Sequence, residues 1–202
     1  MKFANSLPNE KMLNYFKDNK AKIISAGYKE ADFKECLTDF AIAYGLSSAV
    51  QKNPNQRDFV ALENVFRKYL PEEAFYLTYY AQAKYELEKK NYNEALRALL
   101  VLMDNTPTKI SYAQTSAIVM RIGIELGKYG KEEEILKKFD AITIPAKEAN
   151  LAYSKSYIRL AFALQKGDDK KFKSIANAML NDSGVPENIK KELRSQLLQI
   201  KP

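Results

Sequence analysis

Apolar residues recur every three or four positions along nearly the whole chain, and no stretch alternates with period two for long enough to suggest a half-buried strand. The pattern predicts an all-α protein of about nine helices. The first runs over about 9–26, with Pro8 near its start, Met12, Leu13, Phe16, Ile23 and Ile24 along one side, and Gly27 at its end. Antiparallel pairs follow at about 30–50 with 56–70, 72–89 with 93–104, 109–126 with 131–140, and 146–166 with 169–181. A last helix over about 186–199 carries Ile189, Leu197 and Leu198, which with Ile200 can cover the open end of a stack.

The breaks between these segments are themselves regular. Pro71, Pro107, Pro145 and Pro186 stand 36, 38 and 41 residues apart. Proline lacks an amide donor and its ring clashes with the preceding turn, so an evenly spaced series divides a helical chain into equal units. Inside the pairs, Asn53, Asn91, Lys128 and Asp168 lie 38, 37 and 40 residues apart. Asn53-Pro54-Asn55 breaks the first pair, and Gly127-Lys128-Tyr129-Gly130 breaks the third, where two glycines permit left-handed backbone angles. Gly167 closes a helix, with Asp168 or Asp169 as the next cap. With no linker rich in Gly, Ser or Pro, the chain reads as one domain over 1–202. Its expected parts are an N-terminal helix within 1–29, four helix pairs over 30–185 and a capping helix over 186–202, wound as a right-handed superhelix.

The segment from Tyr79 to Pro107, YYAQAKYELEKKNYNEALRALLVLMDNTP, is similar to a tetratricopeptide repeat. Ala83 and Ala95 are small where two helices must touch closely, Tyr92 fills the space beside the turn, Leu99 and Leu102 face a neighbouring helix, and Pro107 ends the unit. A period near 38 exceeds the tetratricopeptide period of about 34 by roughly one helical turn. In the third unit Glu132 or Glu133 stands near the position of the second alanine, and in the fourth Phe172 does.

Over about Thr38 to Ile200 the order of pieces resembles the soluble part of the ancillary SecYEG translocon subunit family. These pieces are YGLSSAVQKN, ALENVFRKYL, LEKKNYNEALRALLVL, LGKYGKEEEILKKFDAI, YIRLAFALQKGD and NDSGVPENIKKELRSQLLQI. The resemblance implies a bacterial inner-membrane protein with one N-terminal span and a periplasmic repeat domain that works with the translocon and chaperones. LNYFKDNKAKIISAG is similar to the segment leading into such an anchor, yet no apolar span of about 20 residues follows it. Two compartments stay open: the periplasmic face of the inner membrane if an anchor belongs to the natural protein, and the cytoplasm otherwise.

The chain has no His and one Cys, Cys36, which leaves the common zinc sites and the Ser-His-Asp and Cys-His nucleophile systems without their ligands. Cys36 falls in the apolar pattern of FKECLTDFAIAY and reads as a structural thiol. Glu132-Glu133-Glu134 and Asp168-Asp169 each open a helix, where carboxylates favour the positive end of the dipole. With no Gly-rich phosphate loop either, the expectation is a protein that is not an enzyme and carries no cofactor.

The net charge of +7 is concentrated at the C-terminal end. Residues 1–70 carry +3, residues 71–145 carry −1 and residues 146–202 carry +5. Lys166, Lys170, Lys171, Lys173, Lys190, Lys191 and Arg194 could attract RNA or an anionic membrane surface. No aromatic residues interleave with them to stack bases, so a solvated face is favoured and no nucleic-acid partner is expected.

The first helices of stacked pairs line a concave surface that usually receives an extended or helical peptide. Repeat position places Tyr80, Lys84, Glu88, Gln114, Arg121, Tyr157 and Gln165 on it. Tyr80 and Tyr157 could be rigid anchors, and Lys84 and Arg121 could hold a carboxylate; the competing reading makes the tyrosines ordinary core residues. Some tetratricopeptide-like proteins clamp a terminal carboxylate with Lys and Asn at fixed positions, whereas this chain has Tyr80, Lys84, Ala117 and Arg121 there. The expected function is protein–protein interaction as a scaffold of the bacterial envelope or translocon, or a chaperone-like domain. The alternative is a basic helical module acting through 166–194.

Overall fold

The computed structural model describes residues 9–52 and 59–199, without the side chains of 45–52 and 61, and every regular element in it is helical. Pro8, the Asn53-Pro54-Asn55 turn and Ile200 lie outside the described residues. The α-helical segments are α1 (Glu10–Asp18), α2 (Lys20–Ser25), α3 (Glu30–Lys52), α4 (Phe59–Tyr69), α5 (Ala74–Glu88) and α6 (Tyr92–Asp104). They continue with α7 (Tyr112–Ile118), α8 (Ile124–Gly127), α9 (Glu132–Asp140), α10 (Ser154–Gln165), α11 (Asp169–Asn181) and α12 (Glu187–Gln199). A π turn, Val119–Gly123, joins α7 to α8, so the described residues form eleven helices rather than about nine.

Local chemistry accounts for the differences from the expected boundaries. The first helix breaks at Asn19, whose backbone leaves the helical region and whose side-chain amide donates to the Tyr15 carbonyl at 2.9 Å, taking one acceptor freed at the helix end. The expected helix over 146–166 is instead a 3₁₀ turn, Ala146–Leu151, followed by α10. Glu148 departs from helical angles within that turn, and its carboxylate accepts from the Tyr112 and Ala113 amides, each at 3.1 Å, at the start of α7. Pro71, Pro107, Pro145 and Pro186 all fall between helices, as their chemistry requires.

Contacts gather the chain into two units, Met1–Gln82 and Ala83–Pro202, with the boundary inside α5. In the first, α3 packs on α4, and α1 and α2 lie against α3. Leu13, Phe33, Leu37, Leu62, Phe66 and Leu77 form its buried core. Each such side chain contributes roughly 1.5–3 kcal/mol by leaving water. The end of α4 is tied to α1: the Tyr69 hydroxyl donates to Asn14 at 2.7 Å, and Lys68 pairs with Glu10 at 2.7 Å. Lys17 donates to the Lys68 carbonyl at 3.1 Å.

In the second unit the turns repeat. Lys90, Gly130 and Gly167 have φ of 62°, 74° and 67°, and each immediately precedes the residue that caps the next helix: Asn91, Lys131 or Asp168. The Asn91 amide donates to the Glu86 carbonyl at 2.8 Å and the Asp168 amide to Ala163 at 3.0 Å, the six-to-one bond of a Schellman turn. The structure therefore moves the mark of the third unit from Lys128 to Lys131. Gly127 is also reassigned: it is right-handed and helical, while Gly130 supplies the left-handed angle.

Counting from these caps exposes a repeated packing code. Four residues on stand Ala95, Ile135 and Phe172; eight on, Leu99, Phe139 and Ala176; eleven on, Leu102, Ile142 and Met179. All nine are buried. Ile135, rather than Glu132 or Glu133, occupies the place of the second alanine in the third unit, while Phe172 holds it in the fourth as expected. Five residues before the caps stand Glu86, Leu126 and Ala163, again buried. Eight before stand Ala83, Gly123 and Leu160; a Cβ on Gly123 would lie 3.3 Å from Ile135 and 3.5 Å from Leu99, so a small residue there lets the π turn approach both α6 and α9. The last three helices share a core of Leu160, Phe172, Met179, Val185 and Leu193, against which Leu197 and Ile189 pack.

Candidate interaction surface

The seven residues expected on a binding face divide by unit and by role. Tyr80 belongs to the first unit. It is half-buried, with its ring parallel to that of Tyr76 at 5.9 Å, one turn earlier on α5. The other six belong to the second unit. Lys84 and Glu88 lie one turn apart on α5, both exposed, and Arg121 is exposed in the π turn. A π turn adds one residue to a helix without a new turn, reorienting side chains locally, and such turns are frequent at functional sites.

The remaining three hold the fold. Gln114 completes the capping box of α7: the Ser111 hydroxyl accepts from the Gln114 amide at 3.1 Å, and the Ser111 amide donates to the Gln114 side chain at 3.0 Å. Gln165 donates from Nε2 to the carbonyl of Ile124, an acceptor at the end of α8. Tyr157 is half-buried against the core of the last three helices and donates to Glu192 at 3.2 Å, joining α10 to α12. Burial, followed by the negative charge of Glu192, holds the Tyr157 hydroxyl above the usual tyrosine range.

The acidic clusters lie at helix starts, and one of their members caps a helix. Asp168 accepts from the Lys171 amide at 3.0 Å, and Glu132, Glu133 and Glu134 fill the first turn of α9. Glu132 also pairs with Lys166, whose hydrogen bond holds the carboxyl below its ordinary range. Among the described residues, no group of three or more His, Cys, Asp or Glu side chains could hold a metal ion. The C-terminal basic stretch is partly neutralised within the chain, since Lys166 pairs with Glu132 and Arg194 with Glu187 at 2.6 Å. Lys170, Lys171 and Lys191 are exposed. No described helix is long and apolar enough to cross a membrane.

One feature was invisible in the linear pattern. Cys36 opens onto a cavity of about 320 Å³ in the first unit, walled by Tyr15 and Phe16 of α1, Ile23 of α2, Tyr28, and Asp32 and Phe33 of α3. Burial, with the negative charge of Asp39, raises the Cys36 thiol above its ordinary range, so it is held as a thiol rather than a nucleophilic thiolate. The spacing of Asp32, Phe33 and Cys36 at i, i+1 and i+4 could have shown that they share one side of a helix. Nothing local could have shown that α1 and α2 fold back to complete the walls.

Comparison with known proteins returns no matching family model, no similar curated protein and no similar solved structure.

Proposed function

We propose that this chain is a non-enzymatic helical-repeat scaffold that binds another protein or peptide, its second unit built on a tetratricopeptide-like plan of antiparallel helix pairs wound into a right-handed superhelix. The observation that carries this reading is the code counted from Asn91, Lys131 and Asp168, where the same three positions are buried in each of three units behind a left-handed turn residue. Repetition of that kind buries the second helices of successive pairs and leaves the solvent-facing sides of the first helices to line a concave surface. Lys84, Glu88 and Arg121 stand exposed on those first helices, and they are the residues through which a partner would be held. The proposed setting is the bacterial envelope, in association with the translocon or as a chaperone-like domain, and it rests on the order of sequence pieces alone.

The test is site-specific photocrosslinking from Lys84 and Arg121 in bacteria, with Lys147 on the 3₁₀ turn as the comparison position. One translocon or envelope protein should be captured from the two helix positions and not from Lys147, and Arg121→Glu should abolish the adduct. Equal capture from all three positions, or none from any, would remove the reading. The alternative, a basic surface over 166–194 for RNA or anionic membrane, is weakened because Lys166 and Arg194 already have acidic partners.

A further inference from the structure

The cavity beside Cys36 has an unusual wall for a space this small. Four of its seven lining residues are aromatic, and Asp32 is its single charged group among the described residues. The rings are set at angles to one another: Tyr15 meets Phe16 edge-on with centroids 6.4 Å apart, and Phe16 is tilted by 42° to Phe33 at 6.3 Å. Tyr15 and Tyr28 are 48% and 62% exposed, so two large aromatic side chains stand at the mouth of an apolar recess, where a structural core would hide them. Aromatic faces carry negative electrostatic potential, and a carboxylate nearby adds a full charge. Together they favour a cation with an apolar surface over either a neutral hydrocarbon or an anion.

We propose that this recess binds the head group of a small quaternary ammonium compound, enclosed by Tyr15, Phe16, Tyr28 and Phe33 and balanced by Asp32. Its volume stands at the small end of small-molecule sites, which fits a free ligand of one compact head group and a short apolar tail. Asp32 makes no ion pair among the described residues, so its charge is not already balanced by a neighbouring lysine. Neither Lys84 nor Arg121 takes part, and the proposal stands or falls separately from the scaffold reading.

Cys36 provides the measurement. It is the chain's sole cysteine and it lines the cavity, so an occupant should slow its reaction with a thiol reagent. The probes are benzyltrimethylammonium and neopentylbenzene, which have the same shape and differ in charge. On the full chain, benzyltrimethylammonium should protect Cys36 and bind at least about tenfold more tightly than the hydrocarbon, with Asp32→Asn and Tyr28→Leu each cutting its affinity by about three- to tenfold. Unchanged helical circular dichroism qualifies each variant, and both replace exposed residues. Equal protection by the two probes at the same dissolved concentration would overturn the ammonium assignment, and so would no protection by benzyltrimethylammonium at about 10 mM. A trimethyllysine peptide that binds more tightly than benzyltrimethylammonium would overturn the assignment to a free ligand.

Discussion

The rings of Tyr92 and Tyr129 stack with centroids 3.7 Å apart and planes 15° from parallel, so the first residue of α6 is clasped by the turn between α8 and α9. The tyrosine expected to fill space beside its own turn thus reaches the turn of the next pair. The neighbouring Tyr129 hydroxyl, followed by desolvation, raises the Tyr92 hydroxyl above the ordinary tyrosine value. A double-mutant cycle with Tyr92→Leu and Tyr129→Leu should give a coupling of about 0.5–1.5 kcal/mol in urea unfolding. A coupling below about 0.3 kcal/mol would mean the stack adds nothing beyond area burial.

Lys90 adopts the left-handed angle that Gly130 and Gly167 take elsewhere, at a cost glycine avoids. Lys90→Gly should stabilise the chain by about 0.5–1 kcal/mol, and Gly167→Ala should destabilise it by about 1 kcal/mol. Thermal unfolding of the two variants beside the parent provides the comparison. A loss of stability in Lys90→Gly would show that the lysine side chain contributes more than its backbone costs.

Gly127 is small because α10 crosses it closely. A Cβ there would lie 2.5 Å from Phe162 Cε1 and 2.8 Å from Gln165 Oε1. Gly127→Ala should destabilise by about 1–3 kcal/mol, and adding Phe162→Leu should return part of that loss. Equal stability of Gly127→Ala and the parent would contradict so close a crossing.

Tyr112 is fully buried beside Phe139, their rings 5.5 Å apart, and burial pushes its hydroxyl up to about 12 from an ordinary 10.0. Between these two values the unfolded chain has released the proton while the folded chain retains it. The unfolded state then binds fewer protons, so the contribution of Tyr112 to stability is lost as pH rises from 10.0 to about 12. Urea midpoints measured at steps through that range should fall more steeply for the parent than for Tyr112→Phe. Parallel declines would place the high-pH loss in other groups.

The structure also shows where linear reading lost the register. Ala95, Leu99 and Leu102 were legible because tetratricopeptide spacing fits them directly, and all three are buried. Ile135, Phe139 and Ile142 form the same series, but counting from Lys128 placed Glu132 at its first position. The turn after α8 carries Lys128, Tyr129 and Gly130 before the Lys131 cap, three residues that make the third unit's turn longer than the others. Gly127 and Gly130 look alike in the sequence, yet one answers to the bulk of Phe162 and the other to its own backbone angle. Of the expected face, exposure at Lys84, Glu88 and Arg121 followed from helical spacing. The structural roles of Tyr157 and Gln165 depend on partners 35 and 41 residues away in the chain, whereas the capping box of Gln114 is local, its partner Ser111 lying 3 residues away.

By itself the sequence determined that this chain is helical, where prolines must interrupt it and which helix starts carry carboxylates, because these follow from backbone chemistry within a few residues. Tertiary structure alone decided that the repeat is counted from Lys131 rather than Lys128, that Gln165 is occupied with the carbonyl of Ile124, and that four aromatic rings and Asp32 gather around Cys36. Each of those outcomes depends on which helix crosses which, and packing of residues tens of positions apart fixes that crossing after local preferences have been met.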